Sequence, residues 1–144
     1  MNADRYLTST QLLDIDNQRL QALIDSRGWR NLNEYERIGS AYNFVRNEIK
    51  FGYNETDDLP ASVVLEDGIG QCNTKGTLFM ALLRALSIPC RLHGFTIDNT
   101  LQKGAIPNSI FFLSPKKILH SWVEVRYAGE WLELEGFILD EGYL

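Results

Sequence analysis

The chain lacks any long uninterrupted apolar stretch. A membrane-spanning helix needs about 18 or more consecutive apolar residues, and no segment of the sequence approaches that length. Residues 1–5 (MNADR) also lack the pattern of a secretory signal, in which positive charge precedes an apolar stretch. No membrane partner is therefore expected, and the sequence predicts a soluble protein in the cytoplasm.

An excess of positive charge is also missing. The 144 residues carry 14 Lys and Arg against 19 Asp and Glu, which gives a formal net charge of −5. Proteins that bind nucleic acid or anionic lipid surfaces usually present a basic patch. Neither partner is therefore expected.

Cysteine and histidine are scarce, with two of each. Cys72 and Cys90 are disfavoured as a lasting disulfide because the cytoplasm is reducing. With His93 and His120 they offer four zinc ligands by residue type, but no close Cys-x-x-Cys or His-x-x-x-His pair is present. We therefore expect no metal and no cofactor.

The length and the 44% hydrophobic content are those of one domain with a single core. We expect one domain over residues 1–144, with its core at about 33–137 and an N-terminal helix at 9–27 that stops at Gly28. Helices come first and candidate strands follow, at 91–97, 110–113, 120–127 and 131–135. This order predicts an α+β fold with a small antiparallel sheet.

Three further helices are predicted by local signals. Asn33 and Glu36 form a capping-box pattern before an apolar stripe over residues 35–49. Pro60 begins one or two helical turns. Residues 74–87 are apolar nearly all round, which predicts a helix inside the core that ends before Pro89.

Cys72 lies at the predicted start of this interior helix, after a tight turn that contains Gly68 and Gly70. A helix N-terminus offers unpaired N–H groups and partial positive charge, which favour a reactive thiolate. The Cys72 backbone N–H is a candidate oxyanion donor, and the adjacent Gln71 is a candidate substrate-binding residue. The alternative is a small buried hydrophobe, which is our preferred interpretation of Cys90.

His120 begins a predicted strand whose apolar face carries Val123 and Val125, so that His120 and Trp122 fall on the opposite, polar face. Trp122 is a second candidate substrate-binding residue. His93 is a weaker candidate base, because nothing near it in the sequence indicates a site.

A two-residue hairpin loop at 128–129 would place Glu135 diagonally across from His120, within reach of a long side chain. An acid there would fix the imidazole tautomer and stabilise the imidazolium. Glu133 is the competing acid.

Three segments carry a resemblance to a known family: residues 68–73 (GIGQCN), 82–91 (LLRALSIPCR) and 120–125 (HSWVEV). In this order they resemble the transglutaminase-like superfamily, over about residues 35–135. The resemblance implies a papain-like fold with Cys72 as nucleophile, His120 as general base and acid, and Glu135 in the place of the usual Asp. Ser87 replaces the common Gly, a harmless change where the backbone is not left-handed.

The resulting hypothesis is a cysteine-dependent hydrolase or acyltransferase that acts on amide bonds through an acyl-enzyme. Its partner would be a peptide or protein substrate or a small amide. An alternative is a catalytically silent module that binds a peptide through the face with Trp122 and Trp131. A third, less favoured, is an acyltransferase that uses a coenzyme A thioester. The sequence specifies no oligomeric state.

Overall fold

The computed structural model describes residues 5–98, 117–134 and 137, with the backbone alone for 93–98 and 117–121. The predicted α+β class, with helices first and an antiparallel sheet after them, is confirmed. The predicted strand at 110–113 lies outside the described residues. In chain order the elements are α1 (Gln18–Arg27), a 3₁₀ turn (Trp29–Asn31), α2 (Glu34–Glu48), β1 (Lys50–Phe51), α3 (Ala61–Asp67), β2 (Ile69–Gly70), α4 (Cys72–Ala85), β3 (Cys90–Asp98), β4 (Lys117–Tyr127) and β5 (Glu130–Leu134).

Helix α1 begins later than predicted. The expected start near residue 9 is wrong, because the Asn17 side chain caps the helix and accepts from the Arg19 N–H at 2.8 Å. The preceding residues form turns that bind α3 instead. The Leu12 carbonyl accepts from the Ala61 N–H at 2.8 Å, and the Asp14 carboxylate accepts from the α3 backbone at 3.2 Å. These tertiary hydrogen bonds outweigh the helical periodicity of the segment.

Helix α2 confirms the capping-box prediction. Both reciprocal bonds between Asn33 and Glu36 are present. The helix buries Phe44 and Val45, but Tyr35 is 70% exposed, so the predicted stripe begins one turn too early. Its first turn extends beyond the core that the rest of the helix covers.

Helix α4 lies inside the core, as predicted. Its buried residues include Leu78, Phe79, Leu82 and Leu83, all with no exposed surface. The helix packs against α2 and α3 on one side and against β3 and β4 on the other. It therefore connects the helical layer to the sheet.

The end of α4 is a Schellman motif. The Ile88 N–H donates to the Leu83 carbonyl at 2.8 Å, and the Ser87 N–H donates to the Arg84 carbonyl at 3.0 Å. Ser87 has φ 65°, in the left-handed region. A side chain is strained in this backbone conformation, which glycine adopts freely. The replacement of the family's usual glycine by Ser87 is therefore not harmless.

The three-stranded antiparallel sheet has the order β3-β4-β5. Val123 and Val125, on the predicted apolar face of β4, are buried, and β4 packs against α4. The hairpin loop has the predicted two residues, Ala128 and Gly129, with φ 54° and 82°, the left-handed pair of a type I′ turn. Leu132 is 42% exposed, because β5 is the edge strand of the described sheet.

The short parallel pair of β1 and β2 was not predicted. The Lys50 N–H donates to the Gly68 carbonyl at 3.0 Å, and the Gly52 N–H donates to the Gly70 carbonyl at 2.9 Å. Strands of two residues carry no hydrophobic periodicity that a sequence could reveal. This pair brings together the two ends of residues 52–68, which contain the acidic segment 53–60 and α3, just before α4.

Candidate active site

Cys72 is the first residue of α4, as predicted, and its side chain is half-buried. Two glycines shape the approach to it. Gly68 ends α3 with φ 70°, and a Cβ atom at Gly70 would lie 2.8 Å from both the Lys75 Cγ and the Thr74 Oγ1. The chain thus passes too close to the first turn of α4 for any larger residue at position 70.

The Gln71 side chain caps α4. Its Oε1 accepts from the Asn73 N–H at 3.0 Å, and the Cys72 thiol donates to the same oxygen at 3.3 Å. In return the Gln71 backbone N–H donates to the Thr74 Oγ1 at 3.0 Å. The capping box uses the N–H groups of Asn73 and Gln71 and not that of Cys72.

The exposed Asp57 carboxylate joins the two amide side chains that flank Cys72. It accepts from the Gln71 Nε2 at 2.5 Å and from the Asn73 Nδ2 at 3.0 Å. A second link runs from the Thr74 Oγ1, which donates to the Asn54 Oδ1 at 2.6 Å. The acidic loop is therefore fastened to the first turn of α4, a relation that no local sequence signal indicates.

Lys75 is fully buried one turn after Cys72, and sequence reasoning missed it as well. Its Nζ donates to the Arg46 carbonyl at 3.3 Å. That carbonyl belongs to the last turn of α2, where carbonyls lack intrahelical partners and positive charge is favourable. Lys75 thus ties the C-terminal end of α2 to the start of α4.

The outer face of the sheet, opposite α4, is occupied by packed polar and aromatic side chains. Trp131 is half-buried, with the Arg91 guanidinium 3.9 Å from its ring centroid and the Tyr6 ring at 5.0 Å, edge-on. Glu124 is 5% exposed and accepts from the Arg91 Nε at 2.7 Å. This hydrogen bond raises the pKa of Arg91. Much of the Trp131 ring is therefore covered by the chain itself.

The sequence pattern of the transglutaminase-like superfamily matches residues 25–136. The chain belongs to the transglutaminase-like superfamily. A search of curated proteins gave no match. A solved structure of a proposed cysteine protease from Cytophaga hutchinsonii is similar with a TM-score of 0.71 at 21% identity. The match covers 96% of this chain and 43% of that one, and it supports the papain-like fold expected from the sequence.

Of the other two predicted catalytic residues, His120 and Glu135, the structure describes only the backbone of His120. The backbone of His120 lies in β4 opposite Phe95, and that of His93 lies in β3 opposite Trp122. The hairpin register, with Val123 opposite Leu134, is the one used to place Glu135. The side chain of His120 and the whole of Glu135 lie outside the described residues. Their approach to Cys72 remains a prediction.

The structure describes both predicted substrate-binding residues, Gln71 and Trp122, and the competing acid Glu133. Gln71 is 8% exposed, and both ends of its amide are bonded to protein atoms. Trp122 is half-buried in β4. Glu133 is exposed and lies opposite Glu124 in the register.

The second cysteine of this transglutaminase-like protein is a core residue. Cys90 has no exposed surface, and its thiol donates to the Met80 carbonyl at 3.5 Å. Burial raises the pKa of Cys90 to about 11. Both cysteines are free thiols, and only Cys72 is accessible.

Among the described residues no group of three metal-binding side chains comes together. Likewise, none of the helices in the described part has the length and apolar content needed to cross a bilayer.

Proposed function

We propose that this transglutaminase-like protein is a cysteine-dependent hydrolase or acyltransferase that acts on amide bonds, with Cys72 as its nucleophile. The observation that carries the proposal is the position of Cys72. Its half-buried sulfur lies on the first residue of an interior helix, beside a backbone N–H that the capping box leaves available. This position supports Cys72 as the nucleophile and its own backbone N–H as the adjacent oxyanion donor.

The proposed reaction begins when the Cys72 thiol gives its proton to the His120 imidazole and the sulfur attacks the carbonyl carbon of the substrate. A C–S bond forms, and the carbonyl oxygen takes negative charge beside the Cys72 N–H. The intermediate collapses when His120 returns the proton to the leaving amine and the C–N bond breaks. Glu135 would hold the imidazole and stabilise its charged form. Water or a second amine then gives a proton to His120 and attacks the acyl carbon, the C–S bond breaks, and the sulfur takes the proton back from His120.

A peptide, a protein side-chain amide or a small amide is the proposed substrate class. Hydrolysis is favoured over transfer, because water requires no acceptor site. The silent binding module is less well supported, since the indole of Trp131, which would form part of its binding face, is covered by Arg91 and Tyr6.

An activated ester tests the proposal without knowledge of the natural substrate. On incubation with p-nitrophenyl acetate, we expect an acetyl group on Cys72 by peptide mass spectrometry, followed by turnover beyond one equivalent. Cys72→Ala should abolish both, and His120→Ala should slow acetylation about 100-fold or more. Cys90→Ala is the matched control and should keep full activity. Acetylation of Cys72 that does not depend on His120, or turnover that survives Cys72→Ala, would contradict the mechanism.

A further inference from the structure

The two amide side chains on either side of Cys72 share one partner, the Asp57 carboxylate. Gln71 donates to it through Nε2 at 2.5 Å and Asn73 through Nδ2 at 3.0 Å. Gln71 is 8% exposed, whereas Asp57 itself is exposed. A loop residue 15 positions before the nucleophile therefore contacts both of its neighbours.

The carboxylate decides which end of each amide faces the sulfur. A carboxylate only accepts hydrogen bonds, so each amide must turn its NH₂ group towards Asp57. For Gln71 the amide oxygen requires the same orientation, because Oε1 accepts from the Asn73 backbone N–H. A reversed Gln71 amide would point its NH₂ group at the Asn73 N–H and its oxygen at the Asp57 carboxylate. Both hydrogen bonds would then be lost.

The consequence is that both amide oxygens face Cys72. The Gln71 Oε1 lies 3.3 Å and the Asn73 Oδ1 3.9 Å from the Cys72 Sγ. These oxygens carry partial negative charge and accept from the thiol, whereas they repel a sulfur that bears negative charge. The NH₂ groups, which would stabilise such a sulfur, point at Asp57 instead.

We propose that Asp57 is a positioning residue that restrains the Cys72 nucleophile by fixing the orientation of the Gln71 and Asn73 amides. The role rests on the proposed function, because it regulates the same sulfur. It acts entirely through the two neighbours, since Asp57 forms its hydrogen bonds with their amides. The Asn73 backbone N–H holds the Gln71 oxygen independently of Asp57, so Asn73 is the amide whose orientation depends on this carboxylate. Loss of its bond to Asp57 removes the contact that keeps the Asn73 NH₂ group away from the sulfur, and it makes the thiol more reactive.

Alkylation of the intact protein by iodoacetamide at neutral pH tests this role. In Asp57→Asn, one of the two acceptor oxygens becomes an NH₂ group, so one flanking amide loses its hydrogen bond to residue 57. The Gln71 oxygen stays held by the Asn73 backbone N–H, so we expect the lost bond to be that of the Asn73 side chain. We expect Cys72 to be alkylated on the order of 10-fold faster, the effect of losing one hydrogen bond to a charged group. Peptide mass spectrometry follows Cys72 and Cys90 separately. Cys90 has no exposed surface, so it reports any opening of the fold.

Two further variants separate orientation from charge. Asp58→Asn removes the same charge from the next residue, which is also exposed, and should leave the rate unchanged. The double variant Asp57→Asn with Gln71→Glu exchanges donor and acceptor between the two positions. The new amide at 57 donates to the new carboxylate at 71 and still accepts from Asn73, so oxygens face the sulfur again. Its rate should return to the wild-type value or below.

An unchanged rate in Asp57→Asn would overturn the inference. An equal increase of the Cys72 alkylation rate in Asp58→Asn would overturn it as well. So would a similar increase of the Cys90 rate in Asp57→Asn, or a double variant in which Cys72 is alkylated as fast as in Asp57→Asn. Alkylation requires no turnover, so its outcome is independent of the acetylation experiment. Loss of acetyl-enzyme formation with a positive alkylation result would remove the proposed function alone.

Discussion

Arg91 and Glu124 face each other across β3 and β4, and the Arg91 Nε donates to the Glu124 carboxylate at 2.7 Å. Glu124 is 5% exposed, whereas 38% of the Arg91 side chain is exposed. The guanidinium also lies over the Trp131 ring at 3.9 Å. One cation therefore compensates a buried carboxylate and covers an indole, which closes the outer face of the sheet.

Arg91→Ala should lower the free energy of unfolding more than the loss of an exposed ion pair does, because it removes a hydrogen bond from the buried Glu124 carboxylate and uncovers Trp131. Arg91→Lys should lose less, since an ammonium keeps the charge but not the planar contact. Arg19 forms an exposed ion pair with Glu66 at 3.1 Å, and Arg19→Ala should cost below about 1 kcal/mol. Urea unfolding measures all three. Equal losses for Arg91→Ala and Arg19→Ala would contradict the assignment.

Gly70→Ala should destabilise the protein by about 1–3 kcal/mol, because its Cβ would lie 2.8 Å from the Thr74 Oγ1, which is held by two hydrogen bonds. It should also disturb the cap before Cys72. Gly39, inside α2, has no atom within 4 Å of a Cβ, so Gly39→Ala should stabilise by about 0.5–1 kcal/mol. In thermal unfolding we expect a lower midpoint temperature for Gly70→Ala and a higher one for Gly39→Ala. An unchanged midpoint in Gly70→Ala would refute the close contact.

Ser87→Gly should raise the free energy of unfolding by about 1 kcal/mol, because a side chain is strained at φ 65° and Ser87 is exposed. The same substitution at Ser26, an exposed position within α1, should cost about 0.5–1 kcal/mol. Denaturant midpoints of the two variants should move in opposite directions. A shared direction would mean that the Schellman turn holds no such strain.

Cys90 makes stability depend on alkaline pH. Burial raises its pKa to about 11 in the folded protein, whereas an unfolded thiol ionises near 8.5. Its contribution is fully present below about pH 8.5 and is lost as pH rises towards 11, by about 1.4 kcal/mol per pH unit. Between pH 8 and 10, wild type should lose about 2 kcal/mol more than Cys90→Ala in urea titrations. Parallel curves would show that Cys90 is not held as a buried thiol.

The elements with strong local signals could be predicted from the sequence. The capping box at Asn33 and Glu36, the interior character of α4 and the two-residue hairpin each depend on a few neighbouring residues. The placement of Cys72 at a helix start belongs to this group.

The parts that were missed depend on residues far apart in the chain. Asp57 lies between β1 and α3, in the stretch 52–68 whose two ends β1 and β2 hold together beside the start of α4. In the sequence, nothing distinguishes Lys75 from an exposed polar residue. Its burial depends on a contact with the last turn of α2, which is distant in the chain. Residues 9–17 have helical periodicity but bind α3 instead. Contacts of this kind leave no periodic trace in a sequence.

The hydrophobic core extends upstream of the family match, which begins at residue 25. Leu13, Leu20 and Ile24 are buried in the same cluster as α4, and Tyr6 lies against Trp131. A shortened gene that starts at the family boundary would remove these side chains and leave their apolar partners in water. Such a truncated product should be expressed poorly or aggregate, so cloning for crystallisation or screening is best begun ahead of Tyr6.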